Sequence, residues 1–193
     1  MTHGVRLVAA AALSLAQISI AQGVGEGSSP VRLSVPSLRL RDVPVILLPI
    51  INGAWDEARL GAREVGLLQT TGRWPNDTWA IVLAGHVTLE GNQPGPFYGL
   101  GSLRPGDSVF LHSQDGLVWH YQVKRQYSLK PNQVKSVYRR DGRLLLLLTC
   151  ASWDEPSQTY SRRLVVEAEL VAQDKRLGGT SAPRPLPLSS KAR

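Results

Sequence analysis

Arg143-Leu144-Leu145-Leu146-Leu147-Leu148-Thr149-Cys150 carries five consecutive leucines and ends on the only cysteine of the chain. A run this apolar, with no alternation of polar residues, suits a central strand buried on both faces. The segments around it also read as short strands separated by turns. Residues 163–171 alternate apolar and polar, and residues 108–112 and 117–124 flank Gln114-Asp115-Gly116, where Asp-Gly accepts the positive φ of a tight hairpin. Further upstream, residues 80–84 form a compact apolar run and residues 31–35 alternate. Residues 45–48 are bounded by Pro44 and Pro49 and followed by the turn signal Asn52-Gly53. Two bounding prolines suit an edge strand better than a central one. Helical periodicity is scarce, and residues 55–66 are the best short candidate. Many short strands with one or two short helices mean a mostly β barrel or sandwich.

A chain of 193 residues supports one domain with a real core plus tails. The 42% hydrophobic and 19% charged composition excludes wholesale disorder and a polytopic membrane protein. The formal charge of +7 is spread along the chain apart from pairs such as Arg139-Arg140 and Arg162-Arg163. It reads as a solvated basic surface, or attraction to an anionic envelope, rather than nucleic-acid binding. Residues 1–21 read as an export signal: Arg6 precedes the mostly apolar residues 7–21, which end in the small-residue pattern Ser19-Ile20-Ala21. Cleavage is the first expectation and an uncleaved membrane anchor the alternative, the apolar run being short for a span. A Gly/Ser-rich linker follows at 22–30, a folded unit at 31–173, and a disordered basic tail rich in Pro and Ser at 174–193. The folded unit is then expected outside the cytoplasm, anchored or secreted.

Export sharpens the question of the lone thiol. In an oxidising compartment Cys150 is a buried inert group, half of an intermolecular bridge, or a reactive nucleophile. It ends the leucine strand, so its sulfur is expected at a strand end rather than inside the core. Reactivity needs thiolate, which needs a cationic or proton-accepting neighbour. His86 and Arg162 or Arg163 are the candidate suppliers. His86 follows Ile81-Val82-Leu83-Ala84-Gly85, where a core strand breaks into a loop, a common seat for catalytic groups, although taken alone the position favours a structural histidine. His112 and His120 lie on the two arms of the hairpin with no cysteine or carboxylate at ligand spacing, so they read as surface or cross-strand residues.

These residues sit in an ordered series of motifs. Leu83-Ala84-Gly85-His86, then Phe97, Leu100, Leu103 and Pro105-Gly106-Asp107, resemble the sortase histidine region and its following "F..L..L..GD" run. Leu147-Leu148-Thr149-Cys150 resembles the "TLxTC" signature, with Leu146 in place of its first threonine. Arg163-Leu164-Val165-Val166-Glu167-Ala168 resembles the closing "R-L-x-V-x-A" strand, Val35-Pro36-Ser37-Leu38 the opening "IPSL", and Trp55-Asp56 a feature of the short classes D, E and F. The similarity spans residues 31–170.

The resemblance implies a closed β-barrel and a cysteine transpeptidase. It would cleave a C-terminal sorting motif of the Leu-Pro-x-Thr-Gly kind and transfer the acyl end to an amine, a peptidoglycan precursor or a pilin lysine. It implies Cys150 as nucleophile, His86 as acid/base and an arginine beside the reacting carbonyl, with no cofactor. No metal is expected either, since no acidic cluster matches the calcium sites of some sortases. The loops at 129–141 and 151–161 would border the groove and flank the thiol. An L,D-transpeptidase is disfavoured because Thr149, not glycine, precedes Cys150. The non-enzymatic rival is an inactive β-barrel binding module of the envelope.

Arg162 and Arg163 leave opposite faces of a strand. Leu164, Val166, Ala168 and Leu170 form one apolar face expected inside the barrel, with Arg162 sharing its parity. Arg163 shares the outward parity of Val165, Glu167 and Glu169. Arg163 is therefore the expected site arginine, with Arg162 as the alternative.

Overall fold

The structure, a computed structural model, describes residues 29–175. The expected signal at 1–21, the linker up to residue 28 and the tail beyond 175 lie outside the described residues. Ten strands run β1 (Pro30–Val35), β2 (Leu40–Leu48), β3 (Ile50–Ile51), β4 (Ala54–Trp55), β5 (Val65–Leu68), β6 (Ile81–Ala84), β7 (Ser108–Ser113), β8 (Leu117–Leu129), β9 (Leu144–Asp154) and β10 (Thr159–Lys175). Eight close into a barrel in the order β1-β2-β5-β6-β9-β10-β8-β7, while β3 and β4 form a separate hairpin. The helical content among the described residues is 3₁₀ turns. The expected helix at 55–66 reduces to one such turn at Glu57–Arg59, because the chain around it is committed to β4 and β5.

The leucine run is the first part of β9, with Leu144 to Thr149 all buried. Alternation sorts its side chains. Leu145 and Leu147 enter the barrel interior with Leu83, Phe97, Trp119 and Tyr121. Leu144, Leu146 and Leu148 join a second apolar cluster on the outer face with Val82, Val137 and Val165. At about 1.5–3 kcal/mol per fully buried leucine, this one strand contributes much of the driving force for closure. On β10, Leu164, Val166, Ala168 and Leu170 point inward as expected. The opposite face, however, is covered rather than open. Val165 is fully buried, and Glu167, only 7% exposed, accepts from Arg125 at 3.0 Å and pairs with Arg139.

β2 is not an edge strand. Its first half pairs antiparallel with β1 (Arg32 opposite Pro44) and its second half parallel with β5 (Val45 opposite Val65 through Leu48 opposite Leu68). Pro44 sits where the pairing passes from one neighbour to the other, and Pro49 lies beyond the last pair, so their missing N–H groups cost the ladder little.

The β7–β8 hairpin turns at Gly116, φ +84°. His120 donates or accepts at Ser108 Oγ (2.9 Å) and stacks on its cross-strand partner Phe110, and His112 Nε2 contacts Ser34 Oγ at 3.2 Å. Phe97, Leu100 and Leu103 are buried core residues. Asp107 accepts from the Arg104 N–H at 2.7 Å and from Ser37 Oγ at 2.8 Å, joining this segment to the 3₁₀ turn at Pro36–Leu38.

Candidate active site

β6 and β9 run parallel, with Ala84 opposite Leu148, and the Gly85 N–H donates to Leu148 O at 3.1 Å. β6 then leaves the sheet. His86, two residues past Ala84, has the outward parity of Val82 and Ala84, and Cys150 has that of Leu146 and Leu148. Both therefore emerge on the outer face at the same rim. Across β9 and β10 Cys150 pairs with Arg163, which puts their Cβ atoms ~5 Å apart. Cys150, His86 and Arg163 line one cavity of about 300 Å³. Its walls are largely apolar, including Leu48, Leu68, Ala84 and Leu148.

Three contacts hold His86 in place. Thr149, whose side chain points to the other face, donates its hydroxyl to Gly85 O at 2.7 Å, fixing the peptide before the histidine. The Phe97 N–H donates to His86 O at 3.0 Å. The ring's Nε2 lies 3.3 Å from Leu60 O. A carbonyl oxygen only accepts, so Nε2 carries the hydrogen and Nδ1 is the nitrogen left to exchange a proton.

Arg163 Nη1 donates to Tyr160 O and Arg162 O, both at 3.0 Å. The guanidinium is thus anchored by neutral carbonyls, with no carboxylate ion-paired to it among the described residues, and keeps its charge and its Nη2 and Nε donors for a ligand. Arg162 pairs with Ala151 and does not line the cavity. Burial pushes the Cys150 thiol up, the Arg163 guanidinium pulls it partly back, and the Glu57 carboxylate adds to the rise.

The sulfur is not at a strand terminus. β9 continues to Asp154 and pairs with Thr159 and Tyr160 in a ribbon that projects beyond the rim. The segment expected as a loop at 151–161 is mostly this ribbon, stiffened by Trp153 against Tyr160 (ring centroids 4.9 Å apart). Strand spacing permits this because Ala151 and Trp153 still find partners on β10, Arg162 and Tyr160, after β6 has departed. Cys150 instead sits where one neighbouring strand ends, which opens its side to the cavity.

Sequence reasoning placed residues 129–141 at the groove, and Pro131, Val134, Lys135 and Tyr138 do line the cavity. It missed how they meet the β3–β4 hairpin: Trp55 Nε1 donates to Tyr138 Oη at 3.2 Å across the cavity. It also missed Glu57, which lines the cavity directly after Trp55-Asp56. A charge next to a quoted motif was the available signal.

A family model described as the sortase domain matches residues 33–171. Among solved structures the chain is similar to sortase C-1 from Actinomyces oris, at 28% identity over 74% of this chain and 75% of that one, TM-score 0.59. It is similar in fold to sortase C from Streptococcus pneumoniae, at 23% identity over 75% and 70% of the two chains, TM-score 0.58. A third likeness in fold is to Listeria monocytogenes sortase A, at 18% identity over 79% and 93%, TM-score 0.59. No curated protein matches the chain.

Proposed function

The chain belongs to the sortase family of cysteine transpeptidases, and from that premise we propose that it cleaves a C-terminal sorting motif of the Leu-Pro-x-Thr-Gly kind and transfers the acyl group to an amine at the cell envelope. The observation that carries this reading is the convergence of a thiol, an imidazole and an unneutralised guanidinium in one apolar-walled cavity. The apolar walls suit the leucine and proline of such a motif, and Arg163 lies beside Cys150 across the β9–β10 pair, where a scissile carbonyl would lie.

Acylation begins with the Cys150 proton passing to His86 Nδ1. Because burial holds the thiol up, this transfer belongs to the reaction and not to the resting site. The thiolate attacks the threonyl carbonyl carbon, and the free donors of Arg163 meet the oxygen as charge develops on it. Collapse breaks the C–N bond, and His86 gives its proton to the leaving glycine amine. In the second half an amine attacks the thioester, the C–S bond breaks, and sulfur recovers a proton through His86. No step calls on a metal or cofactor.

The resemblance of Trp55-Asp56 supports one of the short classes D, E or F, whereas the similar structures named above belong to classes C and A. The acceptor is a peptidoglycan precursor or a pilin lysine. No helix among the described residues is long and apolar enough to cross a membrane, and residues 1–21 provide export or anchorage.

The test is to incubate the full chain with a library of sorting-motif peptides and analyse Cys150 by mass spectrometry. A thioester adduct that disappears in Cys150→Ala supports the proposal. A folded chain that never acylates with any member would refute it and favour the inactive binding module.

A further inference from the structure

Glu57 stands on the cavity wall in the first turn of the 3₁₀ segment Glu57–Arg59. It is exposed, and among the described residues its carboxylate forms no ion pair and accepts no hydrogen bond, although Arg59 lies two residues away. The cavity's cations are Arg163 and Lys135. Of the charged groups in the cavity, only Arg163 and Glu57 act on the Cys150 thiol, in opposite directions. A free carboxylate within electrostatic reach of the nucleophile is a handicap for acylation, because it opposes the thiolate. Its benefit must fall on a step in which a positive group approaches the sulfur.

The second half of the proposed reaction has such a step, and the inference rests on that reading. A primary alkylamine is an ammonium at neutral pH, with an ordinary pKa of about 10.4. We propose that Glu57 is the acceptor-binding residue, its carboxylate receiving the ammonium of the incoming amine and holding it beside the acyl-thioester of Cys150. One ammonium proton passes to water. The amine nitrogen then attacks the thioester carbon, the C–N bond forms and the C–S bond breaks. A second proton passes through His86 to sulfur, and the third stays on the amide. Water, which competes for the same thioester, gains nothing from the carboxylate. Glu57 thus favours transfer over hydrolysis by raising the local concentration of cations.

Two measurements on the full chain test this. The first needs no peptide: the rates at which Cys150 reacts with a trimethylammonium-ethyl and a sulfonato-ethyl methanethiosulfonate are compared. Glu57→Gln lowers the cation-to-anion rate ratio by about two- to fivefold, the scale of one exposed charge contact, Glu57→Asp retains most of it, and added salt erases the difference. The second uses a sorting-motif peptide as donor and Nα-acetyl-lysinamide as acceptor. Glu57→Gln raises the KM for the amine by a similar factor while the change in kcat is smaller, and hydrolysis gains at the expense of transfer. An unchanged reagent ratio overturns the proposal, as does a changed ratio with an unchanged KM for the amine. Failure of the unsubstituted chain to acylate would refute the transpeptidase reading, and the acceptor role with it. The reagent ratio still reports separately whether the carboxylate's field reaches the thiol.

Discussion

Gly85→Ala tests whether the position of His86 is set by the barrel core. A Cβ built at Gly85 lies 2.7 Å from Phe97 Cδ2 and 2.9 Å from its Cγ. The nearer distance falls about 0.7 Å short of ordinary contact. Phe97 is fully buried and its N–H is bonded to His86 O, so the ring has little room to retreat. Two outcomes are available. If the ring yields, the core is overpacked at a cost of about 1–3 kcal/mol. If instead the 85–86 backbone yields, His86 moves by a comparable distance relative to Cys150. A 1 Å misplacement can cost about 10²-fold in rate, so a shift of this size is expected to slow acylation by about 10- to 10²-fold. Urea denaturation gives the first quantity and single-turnover acylation the second. Gly101→Ala is the control: its Cβ meets only Leu164 Cδ2 at 3.5 Å, so it should stay within about 0.5 kcal/mol of the parent. The double variant Gly85→Ala/Phe97→Ala removes both clashing atoms and should recover part of the rate relative to Gly85→Ala while losing about 3–5 kcal/mol of core stability. Gly85→Ala with parental stability and parental acylation would refute the argument that the core fixes the histidine.

Arg163→Ala is expected to reduce acylation by about 10²-fold or more, the scale for losing one oxyanion donor, whereas Arg162→Ala, outside the cavity, costs much less; the reverse ranking in steady-state cleavage would transfer the role to Arg162. The rate of Cys150 alkylation by neutral iodoacetamide should still be climbing above the ordinary thiol range near pH 8.5, because burial favours the protonated form and lowers the thiolate fraction at any given pH. Arg163→Ala moves that profile further up and Glu57→Gln moves it down; a midpoint below the ordinary thiol value would contradict the burial argument. Tyr121 is fully buried with no hydrogen-bond partner for its hydroxyl among the described residues, so Tyr121→Phe should leave the urea midpoint unchanged or raise stability by up to about 1 kcal/mol, and a loss above 1 kcal/mol would show a hidden partner.

Local signals carried the fold a long way. Five leucines require burial on both faces wherever they fall in a sheet, and Asp115-Gly116 makes its turn from adjacent residues. The closed topology needed the motif resemblance, because alternation alone fits a sandwich as well. What stayed hidden depends on partners distant in sequence. Pro44 looks like an edge marker until β2 is seen to exchange β1 for β5 at that residue. Glu167 has the pattern of a solvent-facing residue, yet Arg125 and Arg139 enclose it. The same division runs through the cavity. Parity places Cys150, His86 and Arg163 on the outer face, since each is an even number of residues from an outward-pointing neighbour in its own segment. Parity says nothing about Glu57, Leu60 or Tyr138, which arrive on segments whose approach is set by the Trp55–Tyr138 contact and the covering cluster around Val137.

The motif spacing has a physical reading in the same terms. Thr149 faces inward and holds the Gly85 carbonyl, while Cys150, one residue later, faces outward to the cavity. Phe97 presses on Gly85 from the core and bonds the His86 carbonyl through its own N–H. Phe97 lies outside the cavity, while Gly85 and Thr149 belong to its wall, and together the three determine where the imidazole stands relative to the sulfur. A change at any of the three should appear in acylation before it appears in peptide binding, because the apolar walls that would hold the motif rest on other residues, Leu48, Leu68 and Leu148.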